Sequence, residues 1–566
     1  MLRPFRWLEA RIADYQNGLY ELLPHLVREM LICTVLVILA FIFGGPIIGA
    51  LSLCLPLYTA VLFTLNYFNH ERLSRRKGHR LQRDDRVRRK AHELCERSCP
   101  GDPGILWGKV RIPTKDSEKN FLIVGNIGSG KTLAIRTLMK DQLPLVNPAT
   151  GRRALIYDSK QDCLQSLAGM GLRCPMHVFN PFDERGVAWD MAQDIDSIPI
   201  ANTFAEYIIP SSPHATQKYF EEAPQALLAA VLQVFLKMSP GRWTFRQLLL
   251  VMQSIERIEQ IAAKDHDAHE TVQAILSQIG SRGRGNLLST IVAKTRQYKT
   301  IAACWESARG RISVKQWLRE SSILVLGNYE PAKAEINRLA SMFIDRLSKE
   351  VLSLPENSGR QTWLFFDELT EAGELRGLDS LVFRGRSKGC VSVLGFQDIG
   401  ALYEAYGRER GDAFISQCGN RLYLHLKSPE TAEWASRSIG KRESFLEDQH
   451  GRLNTEDVVP PEHFYRLPET NPHTVGMHGV YVNGSLGCWT AHYAPPELWP
   501  LLPTENRQVE SFRLVPQSRY ELQPWSENDA RQFGILFPSS PANSDGPKGP
   551  HFEEEGPLSG MRRFTL

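Results

Sequence analysis

Short apolar runs alternate along this chain with segments that are apolar at every third or fourth position. The runs predict buried strands, and the periodic segments predict amphipathic helices. The predicted strands fall at 121–124, 154–162, 321–329, 361–369, 390–398 and 421–427, and helical segments follow most of them. Strand alternating with helix is typical of a parallel, doubly wound sheet, which places the chain in the α/β class. Residues 479–493 predict a β-hairpin near the edge of that sheet.

The pattern between about 200 and 315 is helical throughout, and we interpret this stretch as an inserted all-α domain. It divides the α/β domain into a first part, 101–199, and a second part, 316–520. Proline, serine, glycine and glutamate dominate from about residue 537, so we expect 521–566 to be a largely disordered tail.

The N-terminal region differs from the rest because residues 30–69 contain no charged side chain. This span is too long for one bilayer crossing, which takes about 20 residues, and Gly44-Gly45-Pro46 would break a helix. We therefore predict a transmembrane hairpin at 29–70, with helices at 29–44 and 47–68. The segments before and after it, 1–28 and the basic linker 71–100, carry many arginines, which collect on the cytoplasmic side. This predicts a membrane protein whose bulk is cytoplasmic.

Composition narrows the function less than the pattern does. The chain has 566 residues, of which 23% are charged, with a formal net charge of +4. That excess is too small to indicate a nucleic-acid partner by itself. The ten cysteines show no disulfide framework, which is typical of thiols in a reducing compartment.

A glycine loop follows the first of the predicted α/β strands and opens a helix. Residues 125–132 fit the pattern G-x-x-x-x-G-K-[ST], whose backbone N–H groups surround phosphate oxygens. The helix N-terminus adds partial positive charge at the same place. The sequence therefore predicts a nucleoside triphosphate site, and the lack of an N-K-x-D motif favours ATP over GTP. The residues predicted to contact the nucleotide are Gly125, Asn126, Ile127, Gly128, Ser129, Gly130, Lys131, Thr132 and Leu133.

The second half of an ATPase site follows the buried run at 363–366. Thr132 is predicted to ligate Mg²⁺, Asp367 to hold the ion through water, and Glu368 to polarise the attacking water. Adjacent carboxylates could instead form a solvated turn, but the glycine loop in the same chain favours the catalytic interpretation. Asp158 and Lys160 end another strand, where a parallel sheet delivers residues to its ligand-binding edge.

Two further candidates lie near the strand at 390–398. Gln397 ends that strand, and an amide there can sense a γ-phosphate. Arg384 and Arg386 precede it, and Arg386 is our preferred arginine finger for a neighbouring subunit. The alternative, that both residues are ordinary surface arginines without a catalytic role, fits the sequence equally well.

Taken together, these motifs resemble those of the type IV coupling proteins, the TraD/TraG-like membrane ATPases of conjugation and type IV secretion. The resemblance is carried by GNIGSGKT, YDSKQD, FNPFDERGVAWD, YFEEAPQALLAAVL, LFFDE and GRSKGCVSVLGFQD, in the order of the family. It implies a RecA-like nucleotide-binding domain, an inserted all-α domain and a hexameric ring at the inner membrane. It also implies partners: single-stranded DNA with its relaxase, and components of the secretion channel.

Some features leave that function open. The turn between the predicted membrane helices is short for this family, and the tail matches no family pattern. Basic residues that could track DNA lie in the helical insertion, although a solvated helix face explains them equally well; they are Arg282, Arg284, Lys294, Arg296 and Lys299. The alternatives are a coupling ATPase for protein effectors and, less favoured, a membrane scaffold switched by nucleotide.

Overall fold

The structure is a computed structural model that describes residues 80–210, 219–356, 359–447, 453–502 and 509–537. The predicted transmembrane hairpin at 29–70 lies outside these residues, as does the segment 1–28. Within the described ranges, no helix combines the length and the apolar character needed to cross a bilayer.

A large mixed sheet organises most of the described chain. Counted over the described residues, the strands are β1 (Leu81–Arg83), β2 (Ile105–Trp107), β3 (Val110–Ile112), β4 (Phe121–Val124), β5 (Arg152–Asp158), β6 (Met176–Phe179), β7 (Ala188–Trp189), β8 (Arg311–Ile312), β9 (Ile323–Gly327), β10 (Gln361–Phe366), β11 (Cys390–Phe396), β12 (Asn420–Tyr423), β13 (Lys441–Glu447), β14 (Leu453–Asp457), β15 (Met477–Asn483) and β16 (Gly487–Tyr493). Ten of them form one sheet in the order β1-β16-β15-β12-β4-β11-β10-β5-β9-β6.

Seven neighbouring strands, from β12 to β6, run parallel. Their central members are buried on both faces: every residue of β4, β9 and β11 is buried. Two-sided burial explains why these strands are continuous apolar runs rather than alternating ones. β15 and β16 form the predicted antiparallel hairpin beside this parallel core, and only the short β1 lies beyond it. The α/β class and the mainly parallel sheet are therefore confirmed.

Helices cover the sheet and form a separate cluster after β7. The described helices are α1 (Asp84–Ser98), α2 (Lys131–Gln142), α3 (Cys163–Ala168), α4 (Met191–Asp194), α5 (Ile198–Ile208), α6 (Tyr219–Met238), α7 (Phe245–Val251), α8 (Ile255–Ala262), α9 (His266–Ser277), α10 (Ser281–Arg296), α11 (Lys299–Glu306), α12 (Val314–Trp317), α13 (Lys333–Ser353), α14 (Leu378–Arg384), α15 (Ile399–Tyr406), α16 (Arg408–Ser416), α17 (Pro429–Ile439), α18 (Pro461–Arg466), α19 (Pro495–Leu498) and α20 (Glu527–Phe533).

The stretch predicted to be an all-α insertion, 200–315, contains α5 to α11 among its described residues. It also contains one element that periodicity did not indicate. β8, two residues long, pairs in parallel with β7 and so joins the end of the helical stretch to the chain that precedes it. A strand of two residues is too short for any periodic pattern to reveal.

The chain near residue 530 differs from the largely disordered tail expected over 521–566. α20 begins with a capping box formed by Ser526 and Asp529. The ring of Phe533, on the same helix, stacks on Phe235 with centroids 4.4 Å apart. Residues after 537 lie outside the described part.

Residues 439–459 belong to a separate compact unit. Its strands β13 and β14 pair antiparallel, with Lys441 opposite Asp457 and Arg442 opposite Glu456. The side chains of Arg442 and Glu456 form an ion pair of 2.6 Å.

Candidate functional site

The glycine loop lies between the buried strand β4 and the helix α2, which begins at Lys131. Gly128 and Gly130 have φ angles of +80° and +96°, a conformation that side chains with a Cβ rarely adopt. These angles turn the loop back on itself just before the helix. Ile127 at the tip is 78% exposed, whereas Leu133 faces the core.

Two other segments of the chain, at Thr470 and at His425, hold this loop from outside. The backbone N–H of Thr470 donates to the carbonyl oxygen of Gly128 at 3.1 Å, and its hydroxyl donates to that of Ser129 at 2.6 Å. The N–H of Asn126 donates to the carbonyl oxygen of His425 at 3.2 Å. Because Thr470 binds the loop carbonyls, it helps to fix the orientation of the loop's peptide groups. Sequence analysis missed Thr470, since no motif surrounds it.

Three of the four predicted catalytic side chains meet at the carboxyl ends of β10 and β11. The ammonium group of Lys131 forms an ion pair with Oε2 of Glu368, and both residues are buried. Nε2 of Gln397 donates to the same oxygen at 2.8 Å. The hydroxyl of Thr370 donates to the other oxygen, Oε1, also at 2.8 Å. Glu368 is therefore held from both sides, and Gln397 reaches it directly.

The two predicted Mg²⁺ ligands lie together beside this cluster. The hydroxyl of Thr132 donates to Oδ2 of Asp367 at 2.6 Å. Lys160 contacts both, with its Nζ 3.0 Å from Thr132 Oγ1 and 3.0 Å from Asp367 Oδ2. The other carboxylate oxygen, Asp367 Oδ1, is buried and has no hydrogen-bond partner in the described part of the chain.

The environment of Asp367 keeps it ionised. Burial raises its pKa, but the positive charges of Lys160 and Lys131 and the hydroxyl of Thr132 outweigh burial, so that the pKa lies below its usual value. Asp367 is therefore a carboxylate at neutral pH, which is the form that can bind a metal ion.

The pKa of Asp158, at the end of β5, is raised, whereas that of Asp367 is lowered. Burial and the neighbouring charge of Asp162 raise the pKa of Asp158 to about 6. Its Oδ2 accepts a hydrogen bond from the N–H of Cys163 at 3.1 Å, and Arg136 forms an ion pair of 2.7 Å with Asp162. Lys160 follows Asp158 at the same sheet edge, as the pattern predicted.

Arg386 is not brought to this site within the chain. It lies on a turn before β11, at the amino end of that strand, whereas Gln397 follows the carboxyl end. Seven residues of extended chain, ~23 Å, separate the two ends. Nε and Nη2 of Arg386 each lie 3.3 Å from Oε2 of Glu118, and the side chain is 57% exposed.

Comparisons with known proteins agree with the fold. A family model described as the type IV secretion-system coupling protein DNA-binding domain matches residues 105–457. The coupling protein TraD of Escherichia coli (strain K12) is 23% identical over 351 residues, which are 60% of this chain and 46% of TraD. The chain thus spans about half the length of this curated relative.

Solved structures of the plasmid coupling protein TrwB share the architecture. The complex with ADP and Mg²⁺ superposes with a TM-score of 0.60 at 19% identity, covering 78% of this chain and 97% of TrwB. The unbound TrwBdeltaN70 form gives 0.59 at 19% identity, covering 77% of this chain and 97% of that one. At this identity the likeness concerns the fold. Since the family model covers more than half of the chain, this protein belongs to the family of type IV secretion-system coupling proteins with that DNA-binding domain.

Proposed function

We propose that this chain is an inner-membrane coupling ATPase that delivers single-stranded DNA, with its attached relaxase, to a type IV secretion or conjugation channel. The observation that carries the proposal is the contact of Glu368 with Lys131 and Gln397 beside the glycine loop. A protein that only bound nucleotide would need the loop and the metal ligands. It would not need a further buried carboxylate placed to polarise water.

The residues at the loop fit ATP with Mg²⁺. Mg²⁺ prefers oxygen ligands and is commonly bound by one or two protein oxygens together with substrate phosphates. Thr132 Oγ1 and Asp367 Oδ2 lie 2.6 Å apart, and the buried Asp367 Oδ1 lacks a described partner, so this pair suits the ion. When bound, Mg²⁺ neutralises charge on the β- and γ-phosphate oxygens. TrwB itself has been solved with ADP and Mg²⁺ and with an ATP analogue, which supports extending both ligands to this chain.

Each residue then has a distinct task in hydrolysis. Backbone N–H groups of the glycine loop and the Lys131 ammonium bind phosphate oxygens. Once Lys131 turns to phosphate, Glu368 Oε2 loses its ion-pair partner and can accept a proton from the attacking water. Gln397 keeps its hydrogen bond to Glu368 and so couples the carboxylate to the end of β11. Arg386 would complete the site of a neighbouring subunit in a homo-hexameric ring.

The helical cluster supplies the surface we assign to DNA. Arg282 and Arg296 on α10 are exposed, and Arg284 is partly exposed. The pKa of Lys299 is lowered by burial and by the nearby positive charge of Arg296, which a bound phosphate would relieve. The family's description as a DNA-binding domain supports DNA rather than protein as cargo.

Steady-state ATPase activity of the full chain in detergent, with and without single-stranded DNA, tests this proposal. We expect DNA to stimulate turnover at low salt and the stimulation to fall as salt rises, because phosphate contacts release counterions. Double alanine substitution of Arg282 and Arg296 should weaken the stimulation and leave the basal rate unchanged. Basal turnover that DNA does not alter would favour the protein-effector function, and absence of turnover would favour a nucleotide-switched scaffold.

A further inference from the structure

Lys160 occupies the position between the two predicted Mg²⁺ ligands. Its Nζ lies 3.0 Å from Thr132 Oγ1 and 3.0 Å from Asp367 Oδ2. A Mg²⁺ ion would bind Thr132 Oγ1 at about 2.0–2.1 Å and reach Asp367 through a bound water. The ammonium group occupies the space beside these two oxygens that the ion and its water would need. Binding of one therefore requires the other to leave.

Side-chain contacts hold the backbone on both sides of Lys160. Before it, Nδ2 of Asn328 donates to the carbonyl oxygen of Ser159 at 3.4 Å. The side-chain amide of Gln161, a residue with φ of +58°, donates to the carbonyl oxygen of Asn328. Asp162 is paired with the buried Arg136 at 2.7 Å. The Lys160 side chain itself is 51% exposed, so it has open space on one side. Only the side chain is placed to move, and its fixed backbone keeps the ammonium group within reach of the same site.

Electrostatics explains why a cation lies there. The carboxylate side chain of Asp367 is only 17% exposed. A buried carboxylate without a counter-charge is strongly destabilising. Lys131 is already paired with Glu368, so the charge that contacts Asp367 directly in the described structure is that of Lys160.

We propose that Lys160 is an internal counter-cation that fills the Mg²⁺ position at Thr132 and Asp367 until Mg²⁺-bound nucleotide displaces it. This inference rests on the proposed function, because it assumes that the loop binds nucleotide. Two consequences follow, one for the binding of Mg²⁺ alone and one for the binding of nucleotide without metal. Mg²⁺ alone binds poorly to the nucleotide-free protein, because it has to displace Lys160 unaided. Nucleotide without metal binds with moderate affinity, because Lys160 still neutralises Asp367.

The test replaces Lys160 by methionine, which has a similar length and no charge, in the full chain. Equilibrium binding of a fluorescent ATP analogue is measured with Mg²⁺ and with a chelator. Without metal, the unneutralised Asp367 repels the phosphates, so metal-free affinity should fall. With Mg²⁺ the affinity should be equal or higher, because no ammonium group has to leave. We therefore expect the dissociation constant without metal, divided by that with Mg²⁺, to be at least about tenfold larger in Lys160→Met than in the wild type.

A second readout needs no nucleotide. Millimolar Mg²⁺ alone should leave the melting temperature of the wild type unchanged and raise that of Lys160→Met, by binding to Asp367 and Thr132. Lys349→Met is the matched control, because Lys349 is 45% exposed and paired with Asp345 at 2.7 Å on α13. Lys160→Arg keeps the charge, so its affinity for the ATP analogue without metal should stay close to that of the wild type.

The outcomes separate the inference from the function on which it rests. If the wild type binds the analogue with Mg²⁺ but Lys160→Met shows the wild-type ratio and no response to Mg²⁺ alone, Lys160 is not the counter-cation. If the wild type fails to bind the analogue at all, the proposed function itself is wrong. If Lys160→Met does not fold, Lys160→Arg still tests the inference. A ratio of its dissociation constants without metal and with Mg²⁺ that differs strongly from the wild-type ratio would overturn it.

Discussion

Glu368 is the side chain on which the proposed hydrolysis depends most directly. It accepts hydrogen bonds from Gln397 and Thr370 and is paired with Lys131, at the carboxyl ends of β10 and β11. Replacing Glu368 by glutamine keeps the shape but removes the proton acceptor. We expect kcat to fall by about 10²–10⁴-fold, the range that general base catalysis contributes, while ATP still binds and is retained. Single-turnover hydrolysis and ATP binding measured on the same preparation check both parts.

Lys131→Ala provides the contrasting variant. The loop would lose the ammonium group that reaches the outer phosphates, and Glu368 would become a buried carboxylate without its counter-charge. Nucleotide binding should therefore be lost, rather than turnover alone. Retained affinity in this variant would mean that the loop at 125–132 is not the nucleotide site, and normal turnover in Glu368→Gln would remove Glu368 from its assigned role.

Asp158 allows a prediction about pH. Its pKa of about 6 in the folded chain lies above its usual value of 3.8, so the ionised form is disfavoured by folding. This destabilisation is largest above pH 6 and disappears as the pH falls towards 4. Asp158→Asn, which can still accept from Cys163, should stabilise the protein by about 3 kcal/mol at pH 7.5 and by about half of that at pH 5. Melting temperatures at the two pH values measure the effect, and an equal gain at both would contradict it.

At the scale of elements, the sequence could predict the strands and most of the site because each has a local pattern. Apolar runs buried on both faces indicate β4, β10 and β11, and parallel strands bring their carboxyl ends to one edge. Thr470 could not be found in this way. It lies 341 residues after Ser129, and a single threonine in a loop has no periodic signal. Its contact arises only when the chain after β12 folds against the glycine loop.

The helix α20 escaped prediction for a related reason. A helix of seven residues is too short to show periodicity, and it is stabilised by long-range contacts rather than by its own propensity. Arg246 on α7 donates from Nη2 to both carboxylate oxygens of Asp529 at 2.7 Å, and the two side chains are 9% and 4% exposed. The guanidinium group also donates to the carbonyl oxygens of Gln523 and Pro524.

Asp529→Ala tests whether α20 stabilises the helical cluster. The substitution leaves a buried arginine without its main counter-charge, a change that costs about 3 kcal/mol in comparable buried pairs. Burial raises the pKa of Asp529, but Arg246, Gln247 and Ser526 together lower it below the usual value. Its stabilisation is therefore present at neutral pH and lost as the pH falls through the acidic range. Thermal unfolding at neutral and acidic pH measures both effects.

The same helix offers the control for that experiment. Arg531 and Glu527 form an ion pair of 3.6 Å, but the side chains are 77% and 86% exposed. Exposed pairs contribute at most about 1 kcal/mol, so Arg531→Ala should leave the melting temperature nearly unchanged. Equal losses in Arg531→Ala and Asp529→Ala would show that any change in α20, rather than the buried pair, sets the stability.

At the scale of the whole molecule, the position of Arg386 suggests that one chain does not complete its own site. Arg386 lies at the amino ends of the parallel strands, whereas Lys131 and Glu368 lie at their carboxyl ends. In a head-to-tail ring, the surface of one subunit that carries Arg386 would face the surface of the next subunit that carries Lys131 and Glu368. The exposed ion pair with Glu118 is weak enough to be exchanged for a phosphate on assembly.

Mixing two inactive variants decides whether Arg386 acts between subunits. Arg386→Ala should reduce turnover by about 10³-fold in assembled protein, the lower range for an arginine finger, and leave ATP affinity nearly unchanged. Lys131→Ala should be inactive for a different reason. In a random equal mixture, about a quarter of the interfaces of a head-to-tail ring would join an intact loop to an intact Arg386, so activity should return in part.

Arg384→Ala is the control for this experiment. It removes an exposed neighbouring arginine that donates to Ser380, and it should retain turnover. A mixture as inactive as its two components would place Arg386 outside the site of its neighbour.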